Sequence, residues 1–405
     1  MILRATATLV LAFSPACGRL AAADPPDFTV KLETVMKHDD GTFLWFHPRA
    51  AAIPGSGTDQ PSVVMTIQKH PKVSDYYSGL HFMIRKSVDG PWTGPVLPPE
   101  LDWRRQPDGV TISVADVTPG WHAASGKLLA IGAQVRYNPE GRQIEDVKRA
   151  HQTVYAVYDP RAETWTPWRR LELPPDGEFD FARNACAQWL VKDDGTLLVP
   201  LYISTSAKAR FSTTVAECRF DGETLSYVRH GDILRLDIAR GLYEPSLIAH
   251  RGRYFLTLRN DERGYVTAGD DGLHFAEPVP WTFDDGGELG SYNTQQHWLA
   301  HRAGLFLVYT RRGAGNDHIV RHRAPLFMAR VDPGTLRVVR SSEKIVVPER
   351  GAEMGNFGAS AITEHESWVT VSEGMFMTDS KSRGAEGATF VARILWSQPN
   401  TPPLP

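Results

Sequence analysis

Cysteine is scarce in this chain, with three in 405 residues. That excludes a disulfide-stapled scaffold, and no Cys-x-x-Cys or Cys/His spacing offers a structural zinc site. Long apolar runs are missing as well, so no segment reads as a membrane-spanning helix. Charge of one sign is not in excess: the formal net charge is −3. A nucleic-acid partner usually needs a clearly basic surface, so none is expected. No long segment shows a helical apolar period. What is present is an ordinary globular composition, 42% hydrophobic and 22% charged, long enough for one large domain or two ordinary ones.

The N-terminus stands apart. "MILRATATLVLAFSPACGRLAAADPP" has one early cation, Arg4, then an apolar run from Ala5 to Phe13 and the small residues Ala21-Ala22-Ala23. This is the pattern of a secretory signal peptide over 1–23, with the mature domain running over 24–405. The chain is therefore expected to be exported, to the periplasm or beyond. A lipid anchor on Cys17 is the competing reading. It is disfavoured because "SPAC" lacks a branched residue three places before the cysteine. Cys186 and Cys218 remain, either paired or as buried thiols.

Short β-branched and aromatic runs recur between Gly/Asp turns: "SVVMTIQ", "KLLAIGAQV", "TLLVPLYI", "RYFLTLR", "LFLVYTRR", "TFVARILW". The chain reads as all-β. An apolar strand, a polar turn and a second apolar strand recur near Ser56–Gln60, Ala124–Lys127, Asp193–Thr196, His250–Arg253, His301–Leu305 and Glu364–Ser367. The interval of roughly 50–70 residues leaves room for about four strands. This predicts a six-bladed β-propeller of four-stranded antiparallel blades, with "DFTVKLE" as the outer strand of the last blade. Two packed β-sandwiches are the alternative. "AGDDGLHF" (Ala268–Phe275) has Asp270, Gly272 and Phe275 in an Asp-x-Gly-x-x-aromatic spacing, and "SVDGPW" (Ser87–Trp92) is a shortened relative. In such a turn the Asp bonds backbone amides and the Gly supplies a positive φ.

These turns resemble the Asp-boxes of sialidases, and the mature chain resembles the bacterial exo-α-sialidases and their wider superfamily over nearly its whole length. The resemblance implies a single propeller with its active site at the central mouth. There, three arginines bind the substrate carboxylate, a Tyr activated by a Glu is the nucleophile, and an Asp is the acid/base. "YEPSLIAHRGRYFLTLR" (Tyr243–Arg259) is the closest match, giving Glu244 as the base and Arg259 as one arginine. "FHPRAAAIP" gives Arg49, "VRHRAPLFMARVD" gives Arg323 with Arg321 as its fallback, and "SDYYSGLHF" gives Asp75. Glu373 in "WVTVSEG" would brace Arg49, and His297 in "TQQHW" is a further candidate contact to substrate.

One departure matters. Where the family keeps its nucleophile, this chain has "GAEMGNFGASAI" (Gly351–Ile362), with no tyrosine. Tyr292 is the first candidate to replace it and Tyr243 the second. His47, His297, His318 and His322 crowd the same regions, and an imidazole can act as acid or base near neutral pH. The expected activity is release of a terminal carboxylated sugar, sialic acid first, from a glycan. A uronate-directed hydrolase or lyase and a non-catalytic glycan-binding propeller are the alternatives. No cofactor or metal is implied.

Overall fold

The six turn units of the sequence fall between the inner strand and the next strand of six separate antiparallel sheets. The structure, a computed structural model, describes residues 28–55, 60–72, 75–144, 152–175, 177–302 and 304–400. The segment expected to be a signal peptide, with Cys17, and residues 56–59 lie outside them.

The sheets follow one another along the chain. Their inner strands are Leu44–Ile53, Thr111–His122, Leu190–Val191, Tyr243–His250, His297–His301 and Gly358–Thr363. Each of these strands touches the next, and the last touches the first, so the ring is closed. Two packed sandwiches could not give that circuit. The fold is the six-bladed propeller, with blades built on four antiparallel strands.

Strand composition explains the layering. Second strands are buried on both faces by neighbouring blades and read as continuous apolar runs; Leu197–Ser204 is buried throughout. Outer strands alternate, as in Phe28–Lys37. That strand completes the last blade by pairing with Ala388–Trp396, from Phe28 opposite Trp396 to Lys37 opposite Ala388. The two ends of the domain are thereby joined. Trp298 is wholly buried between blades, against Trp281 and Phe255, with its indole N–H donating to the Ser246 carbonyl. Cys186 and Cys218 are both buried free thiols.

The aspartate that closes the Asp-box turn is not the one its spacing suggests. In Ala268–Phe275 it is Asp271, not Asp270, that accepts hydrogen bonds from the Leu273 and His274 amides. Asp270 faces Arg253 instead. In the shortened copy, Asp89 is drawn to Arg393.

Burial also sets an acid limit. It depresses His47, His81 and His250 to about 4 each. The unfolded chain takes up protons near the ordinary histidine value of 6.5, where the folded chain does not. Stability therefore rises with pH across this window and is lost as pH falls from 6.5 towards 4. Thermal melts should show a clearly lower Tm at about pH 4.5 than at about pH 7. Equal melting at both would contradict it.

Candidate functional site

Five of the six blades carry a strained residue in or just before their inner strand. His47, Asp116, Cys186, Glu244 and Asn293 have φ of 54°, 59°, 52°, 44° and 48°. None is glycine, and such backbone is uncommon for other residues and costs of order 1–3 kcal/mol apiece. In three blades the pairing register shifts at this point: between Phe46 and Arg49, between Ala115 and Thr118, and between Tyr243 and Ser246. These are β-bulges, which re-aim a side chain out of the sheet pattern. Four of these residues, His47, Asp116, Cys186 and Glu244, line one cavity at the mouth of the ring. The sixth blade adds Asn356.

The mouth cavity has a volume of about 420 Å³. Its cations are Arg183, Arg240, Arg259, Arg321 and Arg323, and its acids are Asp75, Asp116 and Glu244. Tyr77, Tyr202 and Tyr243 supply phenols.

The hairpin of the fourth blade behaves as its sequence suggests. Tyr243 lies opposite Arg259, and the bulged Glu244 turns back onto that arginine. Arg259 Nη1 donates to both Glu244 oxygens, at 2.7 and 2.6 Å, and Nη2 donates to Asn293 Oδ1 at 2.7 Å. Arg323 donates to the Asn293 carbonyl at 2.7 Å and faces Glu353 at 3.4 Å. Gly355 makes room for it, since a Cβ there would stand 2.3 Å from Arg323 Cδ. Arg321 is at the exposed rim, with φ of 55°. Asp75 (φ 47°) accepts from the Tyr77 hydroxyl at 3.3 Å, and its carbonyl is held by Tyr137 and Gln143.

Four candidates lie elsewhere. Arg49 lines a second cavity of about 340 Å³ in the axial channel beneath the mouth, and it donates to Gln295 Oε1 at 3.2 Å. It stands two residues beyond the bulge at His47, one layer deeper in the ring. His297 lines the same channel and pairs with the Ser246 hydroxyl at 2.9 Å through Nδ1; burial, and then Arg49, hold it well below the usual histidine range. Glu373 does not brace Arg49. Its Oε2 accepts from the Glu386 and Ala388 amides, and Arg350 is its nearest cation. Tyr292 is bonded to His322 Nδ1 at 2.6 Å and is not among the residues lining the mouth. Tyr243 is in the mouth, but its hydroxyl is committed to Asp261.

Sequence reading missed Asp116 and Arg183 and gave His47 only as one of several histidines. His47 Nε2 lies 3.1 Å from Asp116 Oδ1, and the Cys186 thiol donates to that same oxygen at 2.9 Å. Burial keeps His47 neutral and pushes the Cys186 thiol up, so that thiol is not a nucleophile. The signals were there. Asp116 interrupts an apolar strand, and His47-Pro48 repeats the pattern of Glu244-Pro245.

No family model and no curated protein matches this chain. Solved structures do. A Dyadobacter fermentans protein described as of unknown function aligns with a TM-score of 0.64 at 12% identity, over 91% of this chain and 99% of its own. The NanB sialidase of Streptococcus pneumoniae aligns at 0.61 and 11%, over 90% and 70%. A Trypanosoma rangeli sialidase aligns at 0.57 and 12%, over 88% of this chain but only 55% of its own. At such identities the likeness is one of fold alone, the six-bladed propeller.

Proposed function

We propose that the mouth binds a terminal carboxylated sugar, sialic acid first, and that the protein is an exported glycosidase releasing it from glycans. The observation that carries this is the convergence of five arginines and three carboxylates in one cavity of a sialidase-like propeller. Arginine clusters suit carboxylates because the guanidinium pairs with them in a planar, bidentate way. In this reading Arg259 and Arg323, braced by Glu244, Asn293 and Glu353, add secondary contacts to the substrate, and Asp75 gives its proton to the leaving oxygen and then activates water.

The nucleophile in this reading is a tyrosine other than Tyr292 or Tyr243. Tyr292 and Tyr243 have hydroxyls committed to His322 and Asp261, and Tyr77 donates to Asp75. Tyr202 is the cavity phenol without a side-chain or backbone hydrogen bond among the described residues. It feels the charge of both Arg183 and Glu244. Burial raises its pKa and Arg183 opposes that rise. Tyr202 attacking the anomeric carbon, with Glu244 as base, preserves the chemistry of a tyrosine nucleophile from a different blade.

A second reading is favoured by one observation. His47 presents Nε2 to Asp116 and leaves Nδ1 without a partner. A neutral imidazole oriented by a carboxylate can remove the proton beside a uronate carboxylate, and the glycosidic oxygen then leaves as a double bond forms. Incubation with an aryl sialoside and with a uronic-acid polysaccharide separates the two. Release of sialic acid supports the glycosidase, and a product absorbing in the ultraviolet supports the lyase. Binding without turnover on either would leave a glycan-binding propeller.

A further inference from the structure

The geometry points to Arg183, from the third blade, as the principal anchor of the substrate's carboxylate, an inference that rests on the carboxylated-sugar reading above. Arg183 ends the short strand Phe181–Arg183 and lies opposite Tyr202. Its guanidinium sits over the rings of Phe181 and Tyr202, 5.6 and 5.7 Å from their centroids. The two aromatic contacts fix the cation while leaving its N–H edge unclaimed. Its side chain makes no hydrogen bond or ion pair among the described residues; an unpartnered buried Nε it shares with Arg259 and Arg323.

The other mouth arginines are already engaged by the protein. Arg259 is held by Glu244 and Asn293, Arg323 by Asn293 and Glu353, and Arg240 by Asp261 and Tyr243. Arg321 stands at the exposed rim. The acids that Arg183 feels, Asp116 and Glu244, are committed too. Asp116 takes His47 and Cys186, and both Glu244 oxygens take Arg259. Burial disfavours the Arg183 charge, and Tyr202, Asp116 and Glu244 together offset that, but none of them is bonded to its guanidinium, so its donors are left for an incoming anion. A planar carboxylate entering the mouth meets them, and its two oxygens match the free N–H fork. Arg183 is thus a specificity-determining residue: it selects a charged sugar over a neutral one.

Calorimetric titration of the full chain with free sialic acid, free glucuronic acid and their methyl esters tests this. The wild type should prefer an acid over its ester by at least about tenfold, as expected when one charged hydrogen-bonded partner is removed. In Arg183→Gln that preference should collapse to near parity, while the melting temperature reports the fold. Should that variant fail to fold, Arg183→Lys keeps the charge without the planar fork and should still lose at least about fivefold in acid binding. A preference that survives in the folded variants overturns the role of Arg183 and leaves the carboxylated-sugar reading standing. A wild type that binds neither acid, or binds acid and ester alike, overturns both.

Discussion

Arg259→Ala is expected to lose about 3–5 kcal/mol of folding stability and about a hundredfold or more in kcat/KM. The two losses share one cause. Arg259 Nη1 holds both oxygens of Glu244, which sits on a strained, largely buried bulge. Without the arginine, the Glu244 carboxylate keeps its desolvation and loses its counter-charge. Arg259 also lies over the Tyr243 ring, 4.8 Å from its centroid, so truncation opens a gap beside that phenol. Arg259→Lys separates the terms. It restores a charge beside Glu244 and should recover most of the stability, yet it cannot reach Glu244 and Asn293 together, so activity should stay low. Denaturant unfolding and steady-state kinetics on both variants read the two effects independently.

Asp75→Asn should lower kcat by about 10²–10⁴-fold with little change in KM or stability. The loop that carries Asp75 is held through its main chain, where Tyr137 and Gln143 both donate to the Asp75 carbonyl. The isosteric amide keeps that anchorage and can still accept from Tyr77, but it has no acidic proton to give. The loss should shrink for an aryl substrate whose leaving group needs no protonation. A uniform loss across leaving groups would place Asp75 outside acid catalysis.

The propeller was legible because its signals are local. Each turn unit is a hairpin, and apolar second strands between polar turns report burial on both faces. The closing strand Phe28–Lys37 could be anticipated since a ring of blades must join its ends. Glu244 and Arg259 were legible for the same reason, as one hairpin brings them together. The rest of the site depends on bulges, which sequence alternation does not announce. A bulge at His47 places that residue at the mouth and sends Arg49, two positions later, down to the channel. Likewise Asn293 reaches Arg259 while its neighbour Tyr292 turns to His322. Glu373 was misjudged because its partners are main-chain amides, which carry no sequence signature. Gly355 and Gly358 in the segment without a tyrosine have a steric meaning: Cβ atoms there would press on Arg323 and Arg49.

The central claim, that the mouth acts on a sugar through its carboxylate, is tested most directly by kcat/KM for an aryl sialoside and for its C1 methyl ester. The account predicts that the free acid is turned over at least about a hundredfold faster, since the ester removes the charge the arginines would meet. Equal turnover of acid and ester would contradict it.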